Sequence, residues 1–79
     1  MKQYNIEECP ICRHGALLIV KAVDNNRLLV ICDDCESQWE DPEKAIAGEE
    51  PITEEVCGVK DATLEEIEAR GWKKFVKNI

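Results

Sequence analysis

One histidine, one tyrosine and one phenylalanine are present in this chain: His14, Tyr4 and Phe75. A single imidazole, with no serine beside it in a nucleophilic arrangement, gives general-base catalysis little support. The longest unbroken apolar run, Ala16 to Val20, has five residues. A helix needs roughly 20 to span a bilayer, so no membrane partner is expected. No apolar stretch follows a basic start; no secretory signal is therefore expected, and the expected compartment is the cytoplasm. Cations are scarce, ten against seventeen acids, giving a net charge of −7 and a pI of about 4.6. That balance repels phosphate backbones and disfavours nucleic acid as a partner. The acids show no EF-hand spacing, and the chain has no low-complexity tract. With 79 residues, one small domain is the upper bound, and its apolar core supplies only roughly 3–5 kcal/mol. Such a chain needs a staple.

Cysteine supplies one. Five cysteines are present, and four form two C-x2-C pairs, Cys9-Pro10-Ile11-Cys12 and Cys32-Asp33-Asp34-Cys35, separated by the nineteen residues from Arg13 to Ile31. Each pair forms a tight turn that aims two sulfurs at one point, and the spacing suits a tetrahedral metal site. Paired cysteines in a cytosolic chain bind metal more often than they form disulfides. Four ligands complete the shell and leave no open position for water or substrate, so structural Zn²⁺ is expected ahead of a catalytic ion. Iron in four thiolates has similar geometry. Two redox dithiols are a further reading, but a thioredoxin-like dithiol needs a helix N-terminus within a βαβ pattern, whereas these pairs flank a hairpin. Structural zinc contributes on the order of 10 kcal/mol or more to folding. The expected metal ligands are Cys9, Cys12, Cys32 and Cys35. His14 is expected to be exposed, and Cys57 to be a small buried apolar residue. No catalytic residue is expected, and no enzymatic activity.

Local signals place these residues on elements. Pro10 fixes φ for a tight turn and Gly15 offers a left-handed conformation, giving a knuckle whose N–H groups point at the thiolates. Ala16–Val23 and Arg27–Ile31 are β-prone runs around the turn signal Asp24-Asn25-Asn26, which predicts a hairpin. Glu36–Glu40 predicts a third strand with Trp39 facing inward. Pro42–Ala47 predicts a short helix with Asp41 as N-cap and Gly48 as its stop. Thr63-Leu64-Glu65-Glu66 fits a capping box opening a helix to about Arg70. Gly71 is its left-handed stop, with Trp72 folding back on Ile67; helical spacing of Leu64, Ile67, Trp72, Phe75, Val76 and Ile79 supports the alternative of a helix continuing through Gly71. The segment from Ile52 to Cys57 carries no assignment.

Charge is unevenly spread. Residues 1–31 sum to +1, residues 32–70 to −11 and the last nine residues to +3. A zinc ion held by four thiolates adds a local charge of about −2. Lys73, Lys74 and Lys77 beside Trp72 and Phe75 are few against seventeen acids, and bases late in a helix also suit its dipole.

The two cysteine knuckles, the hairpin between them and the aromatic strand after the second resemble the zinc-ribbon proteins over residues 9–40. The resemblance implies a small α+β fold: a ribbon of two knuckles on a three-stranded antiparallel β-sheet, followed by a C-terminal α-helical segment. The expected division is 1–41 for the ribbon and 42–79 for an acidic linker and C-terminal helix packed on it as one domain. Zinc ribbons commonly carry glycine directly after the second cysteine of a knuckle; here Arg13 stands there. The end of the chain, Thr63-Leu64-Glu65-Glu66-Ile67 with Gly71-Trp72, is similar to small acidic bacterial proteins, some of which are immunity partners of toxins. The expected function is a non-enzymatic, zinc-binding interaction module whose acidic surface docks a basic protein, with toxin neutralisation as one version. The alternative is a nucleic-acid-binding or transcription-related ribbon using Arg13, Lys21 and Arg27.

Overall fold

The structure is a computed structural model that describes residues 3–52 and 58–77. Cys57, and with it most of the unassigned segment, lies outside the described residues. Among the described residues, five strands form one antiparallel sheet: β1 (Tyr4–Glu8), β2 (Ala16–Ala22), β3 (Leu28–Cys32), β4 (Gln38–Trp39) and β5 (Val59–Asp61). The other regular elements among the described residues are two short helices, α1 (Pro42–Ala47) and α2 (Leu64–Ala69), and a 3-10 turn at Lys73–Phe75.

The sheet runs β1-β2-β3-β4, and β5 also pairs with β2. The expected three strands are therefore a correct centre of a larger sheet. β1 precedes the first knuckle and pairs Glu8 with Ala16, which fixes how the chain enters Cys9. β5 pairs Val59 with Ala22 and Asp61 with Val20. One edge of β2 thus serves β1 along its first half and β5 along its last half.

The predicted hairpin is β2–β3, with Leu17 opposite Cys32 and Lys21 opposite Leu28. Asn26 adopts φ 58° at its tip and its N–H reaches the Ala22 carbonyl at 2.9 Å. The Asn25 side chain accepts from the Arg27 N–H at 2.9 Å. Asparagine tolerates this left-handed backbone because its short amide side chain bonds locally.

Alternation along the strands divides the apolar residues between two faces. Leu17, Ile19, Leu28, Val30 and Cys32 face the main core with Ile6, Cys9 and Trp39, and α1 adds Ala45. Ile67 of α2, Trp72 and Val76 join the same cluster. Leu18, Val20, Ala22 and Leu29 form a second cluster, against which Ile31 and Ile52 pack. Burial on both faces explains why the two runs read as continuously apolar instead of alternating with polar residues.

Helix ends follow their local signals. Asp41 accepts the Lys44 N–H at 2.8 Å, and Gly48 stops α1 at φ 70°. Thr63 and Glu66 form both bonds of the capping box. Gly71 at φ 76° ends the second helix, its N–H reaching Glu68 and that of Trp72 reaching the Ile67 carbonyl. The helix does not continue through Gly71. Six residues cannot hold a helix alone. Ile67 and Trp72 in the core and a Lys21–Glu66 ion pair to β2 tie this one down.

Candidate metal centre

Each half of the centre is a turn hung on a strand end. Cys9 follows β1, and Cys32 is the last residue of β3. The β1–β2 and β2–β3 pairings carry these two ends to the same side of the sheet. The four sulfurs of Cys9, Cys12, Cys32 and Cys35 all lie within 4.8 Å of one another. Across the knuckles, Cys9 Sγ is 3.7 Å from Cys35 Sγ and Cys12 Sγ is 3.6 Å from Cys32 Sγ. None of the four is in a disulfide.

These separations test the fit of an ion. A tetrahedron of sulfurs about 2.3 Å from a central zinc has edges of about 3.8 Å. The two cross-knuckle distances match that edge. The donor set is all sulfur, the chemistry that suits zinc or iron. Four cysteines close together can therefore hold a metal ion here, in an arrangement consistent with a zinc-ribbon-like motif.

The two knuckles repeat the same backbone device. The residue after the second cysteine is left-handed in both: Arg13 at φ 58° and Glu36 at φ 63°. This turn exposes N–H groups to sulfur. Cys32 Sγ accepts from the N–H groups of Asp34 and Cys35 at 3.4 and 3.3 Å. Cys12 is approached by the backbone N–H groups of His14 and Gly15, which pull its pKa down. The Ser37 side chain and backbone hold Cys35 down at about 6, while burial pushes Cys32 up to about 12. Those are the preferences of the thiols by themselves; a bound cation favours the thiolate at all four.

Gly15 serves a different purpose from the expected one. Its backbone is not left-handed; that task falls to Arg13. Instead it lets the knuckles touch. A Cβ on Gly15 would lie 2.5 Å from Asp33 Oδ1, 2.7 Å from Asp34 Cβ and 2.8 Å from Cys32 Sγ. Asp33 then braces the contact: its carboxylate accepts the Ala16 N–H at 2.9 Å and its N–H donates to the Ala16 carbonyl at 3.1 Å.

Asp33 and Ser37 are the residues that the sequence reading missed. Asp33 was legible only as one more acid, because its partner Ala16 is distant in the chain. Ser37, two residues after a cysteine, is a local signal that was available. His14 is exposed and its imidazole is not among the cluster's ligands. The cations Lys21 and Arg27 sit against carboxylates, Lys21 bonded to Glu66 and Arg27 at 3.9 Å from Glu40. Among the described residues, no helix is long and apolar enough to cross a membrane. Compared with protein-family models, curated proteins and solved structures, the chain gives no match.

Proposed function

We propose that this chain is a non-enzymatic, zinc-binding protein-interaction module whose acidic surface docks a basic partner. The observation that carries this reading is the complete four-sulfur set, Cys9, Cys12, Cys32 and Cys35, within 4.8 Å. Four thiolates saturate a tetrahedral ion and leave it no position for substrate, so the ion's work is to hold the fold. Elemental analysis tests it: one zinc per chain is the expected result, and iron alone would replace zinc in the reading.

Docking follows from charge. Asp33, Asp34, Glu36, Glu43, Glu49 and Glu50 are exposed around and after the second knuckle. A face of one sign speeds encounter with the opposite sign and rejects its own. The partner is thus a cationic protein, and the interaction weakens with salt. Capture on immobilised zinc-loaded protein tests this. Binding that survives about 0.5 M salt unchanged, where screening acts within a few ångströms, would sink it. Neutralisation of a cationic toxin is the most specific version of this docking.

A nucleic-acid role for Arg13, Lys21 and Arg27 has less behind it, since two of the three face carboxylates. A gel shift at low salt with a steep salt slope would be needed to restore it.

A further inference from the structure

The four sulfurs are unequal in their access to solvent. Cys9 is fully buried and Cys32 is 1 % exposed. Cys12 is partly buried, and Cys35 is the exposed member. Oxidation of a thiolate follows access as well as thiolate character, and a nearby second sulfur turns the first oxidation product into a disulfide. Cys35 has such a neighbour, Cys9 Sγ at 3.7 Å.

We propose that Cys35 is an oxidation site: a small neutral peroxide oxidises its sulfur, Cys9 closes a disulfide with it, and the metal centre opens. The inference rests on the metal-binding reading above and adds its regulation. The steps balance. Cys35 Sγ attacks one peroxide oxygen; the O–O bond breaks, an S–O bond forms, and the departing hydroxide takes a proton to become water. Cys9 Sγ then attacks the sulfenic sulfur; the S–O bond breaks, an S–S bond forms, and a second hydroxide leaves as water. Two sulfurs lose two electrons in all, and one peroxide is reduced to two waters. Only Cys12 and Cys32 then remain as thiolates, half a ligand set, and metal affinity falls.

Charge selects the oxidant. Asp33, Asp34 and Glu36 are exposed in the turn that carries Cys35. Their field does not oppose neutral hydrogen peroxide but repels an anionic oxidant such as glutathione disulfide.

The test uses the whole protein with its metal content measured first. Substoichiometric hydrogen peroxide is added with a sulfenic-acid trap, and the modified peptide is mapped; in parallel, without the trap, released metal is read with a chromogenic chelator. Among the four cluster sulfurs, the first adduct is expected on Cys35, the bridge between Cys9 and Cys35, and one ion is expected per bridge. Raising salt from about 20 to 500 mM should speed glutathione disulfide several-fold and leave peroxide unchanged within about two-fold. A first adduct on Cys9, Cys12 or Cys32, a bridge between another pair, or full metal retention under excess peroxide overturns the proposal. A salt response of glutathione disulfide in the opposite direction overturns the charge selection. Protein that carries no metal defeats the metal-binding reading instead, and the trap map on the same sample still decides the claim for Cys35.

Discussion

Arg13 and Glu36 hold a backbone conformation that costs an L-residue about 1–2 kcal/mol. Glycine escapes that strain but loses about 0.5–1 kcal/mol through its freer unfolded chain. Arg13→Gly and Glu36→Gly should therefore each stabilise the metal-loaded protein by up to about 1 kcal/mol, read as a higher urea midpoint at unchanged slope. Gly15 is the opposite case. There the constraint is space, with three neighbours inside 2.8 Å of the missing Cβ, two of them on adjacent aspartates and one a ligand sulfur. Gly15→Ala should cost about 1–3 kcal/mol, as overpacking does, and should weaken metal binding as well, because Cys32 Sγ must move. Adding a methyl to a glycine thus harms this site, while removing a long side chain two residues earlier helps it. Neither sign can be read from the letters, since both depend on which peptide is left-handed.

The two helices were legible because their signals are local. Asp41 with Gly48, and Thr63 with Glu66 and Gly71, lie within a few residues of one another and bond as their types dictate. β1 and β5 were not legible as strands. Tyr4–Glu8 carries two adjacent acids, and Val59–Asp61 is three residues with two exposed. Their strand character comes from pairing with β2, a long-range property. That pairing also puts Lys60 opposite Lys21, two like charges on neighbouring strands. Glu66 answers Lys21: it bonds the ammonium while its other oxygen accepts from Thr63. The Lys21 contact, with help from the Thr63 N–H, holds the Glu66 carboxyl down at about 2, against an ordinary 4.5. A carboxyl lowered on folding stabilises the protein above the unfolded value and loses that contribution as pH falls through the folded one. The difference in urea midpoint between the parent and Glu66→Gln should therefore be full above about pH 5 and shrink as pH is lowered from there towards 2.

Among the described residues, two apolar clusters share one thin sheet, so a metal ion in the cysteine cluster, as proposed, is expected to supply much of the stability. Chelation should collapse the fold, visible as loss of the sheet signal in circular dichroism and of Trp39 and Trp72 burial in fluorescence. Serine in place of Cys9, Cys12, Cys32 or Cys35 should do the same, since three thiolates hold zinc far more weakly than four. Cys57→Ser should be nearly silent in both measurements. Metal-free protein with an unchanged spectrum would remove the structural role of the ion.

The same architecture also frees the tip of the β2–β3 hairpin from the chemistry at its base. The sulfurs are located by where each strand ends and by Leu17 lying across from Cys32, not by the length of chain between the pairs. Asp24 to Arg27 are exposed at the far end. A short Gly-Ser epitope spliced between Asn25 and Asn26 should fold out into solvent and leave metal stoichiometry at the parental value. Removing one residue from a single arm should instead turn every side chain of that arm to the wrong face, and the ion should be lost.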